Sequence, residues 1–373
     1  MPHERPRRSR SFAFARPLVP VLVALQAFLT QRALADDADL TGQTAAQAYK
    51  NIQVLKELPA RQLLPTMFFM RASLGVGCGH CHVDFDHFES DAKRVKQTAR
   101  EMMHMVEALN RDHFEGERRV TCHTCHRGRP RPSAPLPFAS IATSPAAAAE
   151  ARKPAPTAAP PSVDQVFDAY VRATGGVAAQ SQLATSQLIG SRIASEGWTA
   201  PLEIRLKAPD KIRLAFTLEG PWVRAFDGTT GWSQDNHGLH DLRPAELVLL
   251  RRDAALFRPY QLKAQYRELR VLDPKTVGEA DRIVIEGILS DGRVEWLHFD
   301  PSTGLLVRIT AKTDTAFGPL PEQIDLEDYT EFGGVRLPAT VSHMKPDFSY
   351  VDRVREVRRD LPGDDAVFAR PPH

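Results

Sequence analysis

The period of the hydrophobic positions changes along the chain, and the change divides it. Leu63, Met67, Met70 and Leu74 recur at intervals of four, three and four, the spacing of one helix face, and Gly75 supplies a stop. Val95, Met102, Met105, Val106 and Leu109 make a similar face on a second predicted helix that starts near Ser90-Asp91. A third helical stretch, residues 163–174, ends at Gly175-Gly176. Beyond it the period drops to two, with Leu202, Ile204 and Leu206, then Ile212, Leu214, Phe216 and Leu218, then Ile283 and Ile285. Turn signals punctuate these runs at Asp227-Gly228, Asp291-Gly292, Asp300-Pro301-Ser302-Thr303-Gly304 and Gly333-Gly334. The expected fold class is α+β: a small, mostly helical part, then a mainly antiparallel curved sheet with one or two helices.

Two segments carry no such period. Residues 129–162 form a Pro/Ala/Ser tract that cannot bury a core and is expected to act as a semi-extended spacer. Residues 1–35 read as a secretory signal peptide. Arg5, Arg7, Arg8 and Arg10 give a charged start, residues 17–29 an uncharged apolar middle, and Ala33-Leu34-Ala35 a small-x-small cleavage pattern ahead of Asp36. The apolar run of 13 residues is short of the ~20 that a spanning helix requires. The expected organisation is a signal peptide (1–35), a helical domain (36–128), a linker (129–162) and a β-rich domain (163–373).

Composition supports two globular domains in 373 residues, with 42% hydrophobic and 25% charged positions. The net charge of +2 conceals an asymmetry. Six Arg and one Glu lie in residues 1–35, which leaves −3 on the rest. A mildly acidic body lacks the concentrated positive field of a nucleic-acid binder.

The four cysteines all lie in two motifs, Cys78-Gly79-His80-Cys81-His82 and Cys122-His123-Thr124-Cys125-His126. None remains for a disulfide framework, and none follows the apolar run to take a lipid anchor at that point. C-x-x-C-H in an exported chain is the attachment signature of c-type haem. Two thiols three positions apart add to the two porphyrin vinyl groups, and the histidine that follows lies under the iron. A four-thiolate zinc site or a dithiol redox centre would use the cysteines but leave the histidine after both pairs unexplained. Two covalently bound haems are therefore expected, held by Cys78, Cys81 and His82 and by Cys122, Cys125 and His126.

The sixth iron position decides between an electron carrier and an open, reactive iron. Methionines on the helix ahead of each motif are the candidates, and spacing alone does not choose between Met67 and Met70 or among Met102, Met103 and Met105. His80 and His123 lie inside the C-x-x-C loops and point away from the iron. His104 neighbours the Met face, while His87 and His113 sit in loop or helix-end positions. Arg127 and Arg129 are candidate partners for the haem propionates.

Residues 51–130 resemble the tetrahaem cytochrome subunit of bacterial photosynthetic reaction centres. The resemblance lies in Asn51-Ile52-Gln53-Val54-Leu55, Leu64-Pro65-Thr66-Met67, Ser73-Leu74-Gly75, Thr98-Ala99-Arg100, Met102, Val106-Glu107-Ala108-Leu109-Asn110 and Thr121 through Gly128. It implies methionine as the sixth ligand, at Met67 and Met102 by position. The family's subunit has four motifs and this chain has two, so it resembles half of one. Residues 163–373 more faintly resemble the half-barrel of lipoprotein carriers, through Gly175-Gly176, Asp227 to Trp232, Asp300 to Leu305 and Asp328-Tyr329. Such a sheet can enclose an acyl chain or dock a protein.

The function expected is that of a periplasmic dihaem cytochrome passing single electrons, with no catalytic residues. Its expected partners are redox proteins: a reaction centre, respiratory complexes or other cytochromes. Any membrane association would run through a partner complex. The rival expectations are a dihaem enzyme such as a peroxidase with one open iron, and a lipid- or ligand-binding periplasmic protein with accessory haems.

Overall fold

The computed structural model describes residues 40, 42–84, 86–132, 161–236, 238–273, 281–346, 348–359 and 365–372. The signal peptide and most of the spacer expected from the sequence lie outside these residues. The helical part comprises α1 (Ala45–Ala48), α2 (Ala60–Leu74), α3 (Arg94–His113) and α4 (Cys122–His126). α2 ends where the sequence predicts. Gly75 adopts the left-handed conformation (φ 64°) and its N–H donates to the Arg71 carbonyl, closing the last turn.

α3 departs from expectation in its start and its buried face. It begins at Arg94, and the side it buries is Met103, Val106 and Asn110. Val95, Met102 and Met105, which the sequence groups on one face with Val106, are 39%, 37% and 42% exposed. Asn110 explains the rotation. Its amide donates to the Val120 carbonyl (2.8 Å) and accepts from the N–H groups of Arg119 (3.0 Å) and Val120 (2.8 Å), which binds the helix to the strand-like run before the second cysteine motif. A buried side chain that satisfies three main-chain groups fixes the helix rotation more firmly than an apolar stripe does.

The remainder is one antiparallel sheet with helices on its concave side. α5 (Val163–Ala173) and α6 (Gly176–Ser181) precede β1 (Thr185–Ala194), β2 (Thr199–Lys207), β3 (Lys211–Thr217), β4 (Pro221–Phe226), β5 (Gly231–Asp235) and β6 (Gly238–Asp241). α7 (Pro244–Leu256) and α8 (Pro259–Leu262) cross to β7 (Tyr266–Val271). There follow β8 (Ile283–Leu289), β9 (Val294–Phe299), β10 (Leu306–Thr315), β11 (Gly318–Phe332), β12 (Val335–Met344) and β13 (Ser349–Arg359). The strand order is β6-β5-β4-β3-β2-β1-β13-β12-β11-β10-β9-β8-β7. Two hairpin meanders thus meet where the first strand pairs with the last, and β6 and β7 remain as the edges of an unclosed sheet. The four turn signals read from the sequence fall between β4 and β5, β8 and β9, β9 and β10, and β11 and β12.

The concave face is occupied by its own side chains. Leu188, Ile204, Leu206, Ile212 and Ile309 pack with Phe167 and Tyr170 of α5 and with Leu250 and Leu256 of α7 in one core. Higher on the same face the two meanders are joined by a buried ion pair. Arg192 of β1 reaches Asp352 of β13 with Nε–Oδ1 2.7 Å and Nη2–Oδ2 2.8 Å, and its guanidinium lies 4.0 Å from the Tyr350 ring centroid. Replacing Asp352 by Ala should cost about 3–5 kcal/mol, because the arginine would keep its burial and lose its counter-charge. The double replacement Arg192→Met, Asp352→Leu should recover most of that loss in chemical denaturation. A single variant as stable as the wild type would show that the pair is solvated.

The described residues from Gly42 onward group into one compact unit, and the tip of the β10–β11 hairpin reaches the helical part. Phe317 at that tip is 4% exposed and shares a small core with Val54, Met103 and Val106.

Candidate haem centre

The first C-x-x-C-H motif forms a single tight turn over Cys78–His80 after the extended Gly77. The second forms α4, whose first turn is stabilised by the Thr121 N–H donating to Thr124 Oγ1 (3.0 Å). It ends with Arg127 and Gly128 both in the left-handed region (φ 48° and 78°). That reversal sends the chain back across the end of α2, where the Gly128 N–H donates to the Ser73 carbonyl at 2.8 Å. The approach is so close that a Cβ on Gly75 would lie 2.2 Å from the Gly128 carbonyl oxygen. The structure therefore sets the run leading into one motif against the run leaving the other.

Both motif histidines are held in the same way. His82 Nδ1 lies 3.1 Å from the Phe88 carbonyl oxygen, and His126 Nδ1 lies 2.9 Å from that of Arg129. A carbonyl oxygen only accepts, so each Nδ1 carries its hydrogen and Nε2 keeps a free lone pair, the tautomer of a metal ligand. His82 also sets its ring edge-on to Phe88, with centroids 4.9 Å apart at 77°, and its burial lowers its pKa and favours the neutral form. Burial raises the pKa of the Cys81 thiol and pushes that of Cys122 up to about 11.

The loop after the first motif is clamped by charge. Lys93 Nζ donates to the Gly79 carbonyl within the motif, and Lys96 Nζ donates to those of Phe88 (2.8 Å) and Ser90 (2.9 Å). Asp91 receives Arg100 at 2.9 Å and Lys96 at 3.2 Å. The Arg100 guanidinium holds the Asp91 carboxyl well below the usual carboxylate range.

Hydrophobic exposure marks the same region. Of nine large hydrophobic residues left exposed among those described, eight lie between Tyr49 and Phe114: Tyr49, Leu64, Val83, Phe88, Val95, Met102, Met105 and Phe114. All eight belong to the helical part that carries both motifs, where planar apolar cofactors would find apolar side chains to cover. The donor set, the histidine tautomers and this uncovered surface together fit covalently held haem. Among the described residues no three His, Cys, Asp or Glu side chains converge to hold a metal ion.

Among the other sequence-predicted residues, Met67 is half-buried on α2 and Met102 is exposed on α3, whereas Met103 is buried and Met70 packs against the same core. His80, His113 and His123 are exposed. His87 pairs with Asp84 (3.0 Å) and His104 with Glu107 (3.6 Å). Arg127 and Arg129 are exposed beside His126. Sequence reading missed the carbonyls of Phe88 and Arg129, which no residue type signals, and the Asp91–Arg100 clamp, for which an acid nine residues before a base is no signal.

Residues 23–161 match the family model described as photosynthetic reaction centre cytochrome C subunit. This segment is similar to those cytochromes. The reaction-centre cytochrome c subunit of Thermochromatium tepidum is 40% identical over 99 residues, which are 26% of this chain and 24% of that one. The subunit of Rubrivivax gelatinosus is 31% identical over 99 residues, 26% of each chain. The chain thus spans about a quarter of the length of the curated relatives it matches. A LolA superfamily protein from Nitrosomonas europaea aligns in structure with 55% of this chain and 96% of its own at 12% identity and a TM-score of 0.37. No helix among the described residues is long and apolar enough to cross a membrane.

Proposed function

We propose that the protein is a dihaem c-type cytochrome that passes single electrons without turning over a substrate. The observation that carries this reading is the matched geometry of His82 and His126, each donating Nδ1–H to a main-chain carbonyl and keeping Nε2 free. Cys78 and Cys81 would hold one haem and Cys122 and Cys125 the other. A bound haem supplies one-electron ferric–ferrous chemistry.

The chain's own residues account for the rest. The Phe88 and Arg129 carbonyls orient the two imidazoles and raise their basicity. Met103 and Met70 are engaged in packing while Met67, Met102 and Met105 lie outside that core, and by the resemblance to the reaction-centre cytochromes Met67 and Met102 would be the thioether donors. A soft, neutral thioether favours the ferrous state, so potentials would stand above those of bis-histidine ligation. Exposed Arg127 and Arg129 would pair with the haem carboxylates beside His126. Residues 1–35 would export the chain to the periplasm. There its partners would be a reaction centre, respiratory complexes or other cytochromes, and any membrane contact would run through them. The spacer at 129–162 would tie the haem domain (36–128) to the β-rich domain (163–373).

The test is an absorption spectrum of the reduced, matured protein with and without carbon monoxide. Two haems per chain and no shift on adding carbon monoxide would support two closed irons and a carrier. A shift in one haem would support an enzyme with an open iron. Substituting Met67→His should lower one midpoint potential while both haems stay attached, and an unchanged redox titration would remove Met67 from the ligands.

A further inference from the structure

The core of the helical part is completed by a residue from the sheet. Phe317 enters it from the β10–β11 tip and packs with Val54, Met103 and Val106, against Leu55, Phe69, Met70 and Cys122. The tip is locked on itself: Thr315 Oγ1 donates to the Gly318 carbonyl at 2.6 Å and accepts from the Phe317 N–H at 3.2 Å. It is also bonded to the helical part on both sides. Arg118 Nη1 donates to the Thr315 carbonyl at 2.5 Å, and the Ala316 N–H donates to Thr66 Oγ1 at 3.1 Å. Thr66 is fully buried, and its hydroxyl hydrogen goes to the Gln62 carbonyl (2.7 Å). A further tie joins Arg71 of α2 to Glu196 at 3.5 Å.

These contacts fall on particular residues. Thr66 immediately precedes Met67, Met103 immediately follows Met102, and Cys122 opens the second motif. We propose that Phe317 is a positioning residue. With the tip bonded to Thr66, it fixes the spacing of α2 and α3 and thereby the presentation of the methionines they carry. The sheet would then set the redox potential of the cofactor centre as well as accompany it. The inference rests on the haem reading above.

The experiment uses the full chain matured with haem. Phe317→Ala should keep two haems per chain by pyridine haemochrome assay. It should shift at least one midpoint potential downward by the equivalent of a tenfold change, about 59 mV for one electron. The methionine–ferric charge-transfer band should weaken with it, and Phe317→Leu should restore most of both. Thr66→Val, which removes only the bond to the Ala316 N–H and its own donor, should shift the same potential by a smaller amount. Unchanged potentials and an unchanged band in Phe317→Ala, even with reduced thermal stability, would make Phe317 a core filler and overturn the proposal. If Phe317→Ala does not fold, an unchanged potential in Thr66→Val overturns it instead. A wild-type chain that carries no haem would defeat the haem reading itself, a different failure.

Discussion

Replacing Cys122 and Cys125 together by Ala should reduce the covalently attached haem from two per chain to one. The expectation follows from the separation of the two thiol pairs into different elements, a turn at Cys78–His80 and the short helix Cys122–His126. Neither pair can substitute for the other. The converse double variant, Cys78→Ala with Cys81→Ala, should also leave one. The folded chain should survive both losses, because the thiols contribute little to packing except at Cys122, which touches the small core that Phe317 completes. Deleting that sulfur should cost on the order of 1 kcal/mol. Mass spectrometry of the intact protein after maturation reads the result directly. Two haems retained in either double variant would mean that the motifs are not the attachment points.

Gly75→Ala should destabilise the fold by about 2–5 kcal/mol, more than any other single methyl added near the motifs. Two costs combine there. A left-handed residue with a Cβ is strained by roughly 1–2 kcal/mol, and the new methyl would lie 2.2 Å from the Gly128 carbonyl oxygen, a backbone atom with little freedom to move. Overpacking of this kind typically costs ~1–3 kcal/mol. Two other glycines separate these contributions. Gly116 has φ 80° with nothing within 4 Å of an added Cβ, so Gly116→Ala reports the conformational cost alone. Gly79, with open space and no positive φ, should tolerate Ala with little effect. Chemical denaturation of the three variants should rank them Gly75, Gly116, Gly79. Equal stability of Gly75→Ala and Gly116→Ala would mean that the crossing of the two runs relaxes freely.

Much of this arrangement was legible in the sequence, and the part that was not has a common cause. The period-two runs place β2, β3 and β8 because alternate positions turn inward, fully in β2 and partly in β3, and the turn after β8 is marked by Asp291-Gly292. α2 and its stop at Gly75 were legible for the same local reason. The rotation of α3 was not. Its buried side is set by Asn110, which satisfies main-chain groups of residues 119 and 120, and by Phe317, which lies far away in the chain. The cysteine motifs could be read because attachment chemistry demands fixed spacing. The carbonyls that orient the histidines could not, since every residue has one. Which methionines stay accessible depends on packing around Phe317, and periodicity holds no record of that.

The hairpin contact also bears on the order in which the molecule can be assembled. The Ala316 N–H meets Thr66 across 250 positions of sequence, so a chain made from its N-terminus presents both cysteine motifs long before the residue that closes their core exists. Contacts of such long range form late, after the loop between them has been closed at an entropic cost. During that interval the thiols would remain on an open, incompletely packed surface, reachable by whatever machinery modifies them. Arrival of the hairpin would end that window and set the two motifs in their final relation. In this protein the last-made half would serve as the latch on the first.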